Sequence, residues 1–203
     1  MTGVSAQNGD LSDEQLVQRS LGDPDAFFYL MKRYEGKLLR YIERISNVTR
    51  DEAEDLLQTI FLKAYRNLNA FDRELKFSNW IFRIAHNTVL NHIRKKKVRS
   101  AVWVRWDDSD TPPSSRGDFN EDATPETDMA ARESREGLAM ALSDLPSKYR
   151  EVLVLRYFEG KSYEEIGDIL MKPGGTVATM INRAKKRLKK IAPRYGLGEA
   201  DGI

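Results

Sequence analysis

Near its C-terminal end the chain carries a set of side chains suited to reading duplex DNA. Thr176, Thr179, Asn182 and Arg183 fall on one side of an expected helix, with Lys186 one turn further along. Arginine can pair with the guanine edge and asparagine with the adenine edge in a major groove. The helix leaves the domain through Lys185, Lys186, Arg187, Lys189 and Lys190, and these lysines suit phosphates, which position a protein without specifying sequence. The opposite side of the same helix is apolar, with Val177, Ile181, Ala184 and Leu188 spaced four, three and four. Just upstream, Met171-Lys172-Pro173-Gly174 breaks the periodicity. Before that, Ser162 and Glu165 form a capping box that opens a short helix with Ile166, Ile169 and Leu170 inward. A short helix, a tight turn and a second helix with small polar groups near its start make a helix-turn-helix from roughly Ser162 to Leu188. The same spacing also fits a plain αα-hairpin with a solvated basic face.

A second chemistry-bearing stretch lies in the first half. Phe71-Asp72-Arg73-Glu74-Leu75-Lys76-Phe77-Ser78-Asn79-Trp80 mixes aromatic, amide and basic groups. It precedes a helix that passes Arg83 and Asn87 and ends in Arg94, Lys95, Lys96, Lys97 and Arg99. Aromatics and apolar walls receive an unstacked base, amides read its edge and cations hold the strand. Trp80 and Phe82 fit a protein core equally well. Upstream, Asp51, Asp55, Gln58 and Leu62 recur at four, three and four, a polar stripe ending in an apolar residue. That pattern suits a protein contact, or simply a solvated face.

Other chemistries find little support. The chain has no cysteine, which excludes disulfides and thiol catalysis, and its two histidines, His86 and His92, lie six apart beside a basic run. There is no HExxH and no glycine-rich phosphate loop. No run of eighteen apolar residues exists, and the first twenty residues lack the basic and apolar regions of a secretion signal. The net charge of +2 conceals a pattern. Residues 20–99 hold 16 Lys/Arg against 10 Asp/Glu, residues 129–195 hold 14 against 8, and residues 100–128 hold 2 against 8. Two basic blocks joined by an acidic strap suggest two domains that contact polyanion.

The elements that must position these groups read as helical throughout. Asp23-Pro24 opens a helix over Ala26–Tyr41, with Phe27, Leu30, Tyr34, Leu38 and Tyr41 on one stripe. Thr49, with Glu52 three residues on, opens the next, Asp51–Leu68, which is expected to bury Ala53, Leu56, Leu57, Ile60, Phe61, Ala64 and Leu68. A third runs from about Ser78 through Trp80, Ile81, Ile84, Ala85, Val89 and Ile93. In the second block come Arg132–Leu142, then Pro146–Phe158 with proline in the first turn, then the turn Glu159-Gly160 and the two helices already described. The fold class expected is all-α: two small helical domains joined by an acidic flexible linker. The boundaries are a tail over 1–19, a domain over 20–99, a linker over 100–130, a domain over 131–195 and a tail over 196–203. From Asp107 to Asp128 the linker is too rich in Pro, Ser, Gly, Asp and Glu to offset the entropy of ordering it. Trp103 and Trp106 either close the first core or anchor the linker on a partner.

The order of these motifs resembles the extracytoplasmic-function (ECF) sigma factors, a group of bacterial RNA polymerase sigma factors. The segment DEAEDLLQTIFLKAYRNL from Asp51 to Leu68 is similar to the family's core-polymerase-binding helix. FSNWIFRIAHN from Phe77 to Asn87 is similar to its −10 element segment. LPSKYREVLVLRY from Leu145 to Tyr157, with GKSYEEI from Gly160 to Ile166, is similar to the start of its fourth conserved region.

The resemblance implies a non-enzymatic, cytoplasmic factor, nucleoid-associated when bound to polymerase. It implies no cofactor, metal, catalytic residue or small-molecule substrate. Asp51, Asp55, Gln58, Phe61 and Leu62 would bind core RNA polymerase, docking on the β′ clamp helices, with the β subunit a further contact. Arg73, Lys76, Phe77, Ser78, Asn79, Arg83, Asn87, Arg94 and Lys95 would bind and open the −10 element. Ser162, Thr176, Thr179, Asn182, Arg183 and Lys186 would bind the −35 element. The acidic linker would thread toward the polymerase active-site cleft, and an anti-sigma factor would hold the protein inactive until a stress response. Two departures from the family pattern stand out. Its turn usually has glycine at Met171 and an apolar residue at Lys172, and its recognition helix usually has basic residues at Ala178 and Met180. The second loss implies weaker independent −35 binding. An ordinary dimeric helix-turn-helix regulator is the competing expectation, and it has no use for the Asp51–Leu62 stripe or the 71–80 stretch.

Overall fold

A computed structural model describes residues 11–72, 74–103 and 129–198, apart from the side chains of 97–103 and 129–132. Arg73, the linker from 104 to 128 with Trp106, the side chain of Trp103 and both chain ends lie outside the described residues. Among the described residues every regular element is a helix or helical turn and none is a strand. They fall into two compact units, one mainly from the first half of the chain and one mainly from the second.

The first unit opens with a helix in a stretch expected to be tail. This is α1, Asp13–Ser20. Ser12 accepts a hydrogen bond from the Gln15 amide at 3.2 Å, and the Gln15 side chain accepts one from the Ser12 amide at 2.8 Å. That is a capping box, which satisfies two amides the helix itself cannot. Leu16 and Val17 are buried, each contributing about 1.5–3 kcal/mol of apolar transfer. Asp23 then caps a short turn, Pro24–Ala26, by accepting from the Asp25 amide at 3.1 Å.

Helix α2, Phe27–Ile45, runs one turn beyond the expected end at Tyr41 because Ile42 and Ile45 prolong the same buried stripe. Helix α3, Arg50–Arg66, buries all the residues expected of it, with Leu68 placed in a following short turn, Leu68–Ala70. Helix α4, Phe77–Trp103, continues through the whole basic run. The Phe82 ring meets Tyr41 edge-on at 5.0 Å, and both are fully buried, so Phe82 is a core residue. At the far end Lys96 bonds both Glu52 oxygens, at 2.9 and 3.1 Å, tying α4 to the start of α3.

The second unit begins with α5, Met129–Ser143, and α6, Ser147–Leu153. Pro146 is the cap of α6 rather than a member of its first turn. The expected single helix to Phe158 widens instead into one broad turn, Val154–Phe158, closed by the Glu159 amide on the Val154 carbonyl at 3.1 Å. Helices α7, Tyr163–Leu170, and α8, Gly174–Ile191, follow, and a last short turn covers Ala192–Tyr195. That turn returns over α5. The Tyr195 hydroxyl bonds Asp144 at 2.6 Å, and a Cβ at Gly137 would lie 2.6 Å from the Tyr195 carbonyl oxygen. Among the described residues no helix is long and apolar enough to cross a membrane.

Candidate nucleic-acid interface

The geometry between α7 and α8 is fixed by a few local features. Ser162 caps α7, accepting from the Glu165 amide at 3.1 Å, and the Glu165 carboxylate accepts from the Ser162 amide at 2.8 Å. The Ser162 oxygen offered to DNA by the sequence is therefore engaged by its own helix. At the other end Met171 adopts φ 53° and ψ 51°, the left-handed conformation that ends a helix abruptly. The chain then passes so close beneath α7 that a Cβ at Gly167 would sit 2.7 Å from the Lys172 carbonyl oxygen. Only glycine fits there. Pro173 caps α8 and prevents the two helices from merging.

Helix α8 buries Val177, Ile181, Ala184 and Leu188. Thr176, Thr179, Asn182, Arg183 and Lys186 are all exposed on its outer side, and Ala178 and Met180 are half-buried beside them. The Thr179 hydroxyl donates to the Gly175 carbonyl at 2.9 Å, leaving its oxygen as an acceptor. The basic run is less uniform than its sequence suggests. Lys185 lies over the Tyr157 ring at 5.2 Å and Arg187 over the Tyr149 ring at 5.1 Å. Both cations rest against rings of their own unit, each such contact contributing about 0.5–1 kcal/mol. Lys185 is half-buried, whereas Lys186, Arg187, Lys189 and Lys190 are exposed.

In the first unit, the stretch before α4 rests on an aromatic floor. Phe77 meets Phe71 at 5.7 Å, Trp80 at 5.6 Å and Tyr34 at 5.5 Å between ring centroids. Phe77 is fully buried and Trp80 nearly so. The Phe77 ring, expected at the −10 element, packs here against three aromatic neighbours. Tyr34 is anchored in turn by its hydroxyl, which donates to Asp13. Burial, and then that hydrogen bond, push the hydroxyl's pKa far above the ordinary phenol range.

Beside this floor, Asp72 accepts from the Glu74 amide at 3.0 Å and Lys76 is exposed, while in the first turn of α4 Ser78 is half-buried and Asn79 is buried. Arg83 is half-buried, while Asn87, Arg94 and Lys95 are exposed. His92 stands 3.9 Å from Glu52, and among the described residues no three metal-ligating side chains gather.

The Asp51, Asp55, Gln58 and Leu62 stripe of α3 is exposed, with Leu62 at 49%. Phe61, grouped with it, turns inward and is 5% exposed, at the edge of a groove between α2 and α3. Phe28, Met31, Lys32, Leu57 and Tyr65 also line that groove. Phe28 and Tyr65 are substantially exposed apolar groups outside the expected stripe.

Comparison with known proteins places these two units. Residues 30–99 match the family model for Sigma-70 region 2, and residues 135–188 match that for Sigma-70, region 4. The chain is 35% identical over 178 residues to the ECF RNA polymerase sigma factor SigW of Bacillus subtilis, covering 87% of this chain and 94% of that one. The chain belongs to the ECF group of RNA polymerase sigma factors.

This sigma factor is also 36% identical over 185 residues to the RNA polymerase sigma-H factor of Pseudomonas aeruginosa, across 88% of this chain and 92% of the other. It is 34% identical to the ECF RNA polymerase sigma-E factor of Escherichia coli, across 90% and 96%. Among solved structures, CnrH in complex with the cytosolic domain of CnrY aligns with a TM-score of 0.63 at 25% identity, over 90% of this chain and 97% of that one. The fold is shared as well with the sigma factor RpoE of Bartonella quintana, solved with the anti-sigma factor NepR, at a TM-score of 0.61 and 24% identity over 82% and 96%. The sigma factor is accordingly a promoter-directing initiation factor for transcription and not an enzyme. Helix α1 precedes the stretch matched to region 2, which starts at residue 30.

Proposed function

We propose that this sigma factor grips a promoter at two points while its first unit holds polymerase. The exposed side of α3, with Asp51, Asp55, Gln58 and Leu62, docks on the β′ clamp helices, and Phe61 supports that surface from beneath. Lys76, Ser78 and Asn79, with Arg73, Arg83, Asn87, Arg94 and Lys95, engage the −10 element and hold it open. Thr176, Thr179, Asn182, Arg183 and Lys186 face the −35 major groove, and Ser162 serves them by capping the helix before. Phe77 acts as floor rather than as a stacking face. The modules are residues 20–99, with α1 now joined to them, and residues 131–195.

The observation that carries this reading is the outer side of α8: a capped helix-turn-helix whose apolar side is buried and whose Thr, Asn, Arg and Lys side is bare. The exposed Leu62 beside the α2–α3 groove favours a polymerase-bound factor over a free dimeric regulator, since a regulator needs no such surface. An anti-sigma factor and the β subunit are the further partners, and the cytoplasm is the place of action. Run-off transcription with purified core polymerase on a promoter library tests the reading. Promoter-dependent transcripts and co-elution with core are expected, and the absence of both would refute it.

A further inference from the structure

Helix α1 lies outside the stretch matched to region 2, yet one cluster ties it to the segment that carries Lys76 and Ser78. Asp13, the first residue of α1, accepts from the Tyr34 hydroxyl and from Arg33 Nη1 at 2.5 Å, while Arg33 Nη2 donates to the Leu11 carbonyl at 2.9 Å. Tyr34 is buried, and a buried hydroxyl left without its partner costs free energy. Its ring lies edge-on to Phe77. Phe77 and Phe71 stand at the two ends of the loop and touch each other, and Trp80 touches both, with Phe71 at 5.3 Å. The carboxylate of α1 therefore fixes the ring that fixes the floor gripping the loop at both ends.

We propose that Asp13 is a positioning residue for promoter opening, setting the height and tilt of the −10-reading loop through Tyr34 and Phe77. The proposal rests on the assignment of residues 71–87 to the −10 element. Without Asp13 the Tyr34 hydroxyl must find water, which draws its ring toward the surface and loosens Phe77. Phenylalanine at 34 feels no such pull, so removing the hydroxyl compensates for removing the carboxylate. A general loss of packing would make the two changes add instead.

The test uses full-length protein reconstituted with core polymerase. Opening is followed by permanganate reactivity of unpaired thymines at saturating holoenzyme, alongside core affinity and closed-complex affinity. Asp13→Ala is expected to slow opening roughly fivefold with both affinities unchanged. Asp13→Asn, which keeps an acceptor for the hydroxyl, recovers most of the rate, and so does Asp13→Ala combined with Tyr34→Phe. Unchanged opening in Asp13→Ala, an equal defect in the double variant, or a defect that tracks lost core affinity overturns the proposal. If Asp13→Ala does not fold, Asp13→Ser, too short to reach Tyr34, is read by the same comparisons. Lys76→Ala and Ser78→Ala probe the loop itself. Normal opening in both overturns the −10 assignment, whereas slow opening in these with normal opening in Asp13→Ala overturns only the positioning role.

Discussion

Replacing Met171 by glycine should stabilise the second unit. Met171 holds φ 53° and ψ 51°, and it is the one non-glycine residue with positive φ among the described residues. That conformation costs an L-residue roughly 1–2 kcal/mol. Its side chain is 75% exposed, so truncation forfeits little apolar burial. Against the gain, glycine's freedom in the unfolded chain withdraws about 0.5–1 kcal/mol. The difference is a net stabilisation of about 0.5–1 kcal/mol. For a unit the size of residues 129–198 it corresponds to a rise of roughly 3–6 °C in melting midpoint. Differential scanning calorimetry on the full-length chain reads it directly. Met171→Ala is the control, because it keeps the Cβ that makes the conformation costly and should give no rise. No rise for glycine, or equal rises for both, would refute left-handed strain as the origin. Met171 stands where the family usually has glycine, so the experiment also puts a magnitude on that departure.

Three further outcomes are expected. Gly167→Ala drives a Cβ against the Lys172 carbonyl 2.7 Å away, which should cost about 1–3 kcal/mol, lower the melting midpoint and weaken −35 duplex binding together. Gln58→Ala with Leu62→Ala should weaken core polymerase binding roughly tenfold with an unchanged circular dichroism spectrum, and an unaltered affinity would remove α3 from the interface. Ala178→Lys with Met180→Arg should tighten −35 binding and steepen its salt dependence by about 1.8 in log–log slope, two phosphate contacts' worth. Titration at several salt concentrations checks both quantities.

Helix faces were legible in the sequence wherever apolar spacing was continuous. The buried sides of α2, α3 and α8 contain the residues that periodicity selected, and the Ser162–Glu165 box forms as expected. The missed helix, α1, carried a comparable signature in Ser12-x-x-Gln15, but it is short and its flanks are polar, so the pattern looked like tail. The broad turn at Val154–Phe158 was invisible because its residues are as apolar as any helix would require. Which cations of a basic run meet an aromatic ring was also beyond spacing. Lys185 and Arg187 are drawn to Tyr157 and Tyr149, rings brought near by tertiary structure. The surroundings of Phe77 were hidden for the same reason: a ring type suited to a base is equally suited to edge-on and tilted packing against Tyr34, Phe71 and Trp80.

The return of the chain over α5 decides how this protein can be cut into working pieces. The family match to the second unit stops at Leu188, which would tempt an experimenter to end a DNA-binding fragment there. Such a fragment would lose the backbone that lies against Gly137 and the hydroxyl that holds Asp144. It would uncover the side of α5 that the last turn protects. A fragment meant to keep the second unit's packing thus runs from the start of α5 through Leu197, and a reporter or affinity tag belongs beyond that residue, never directly after α8.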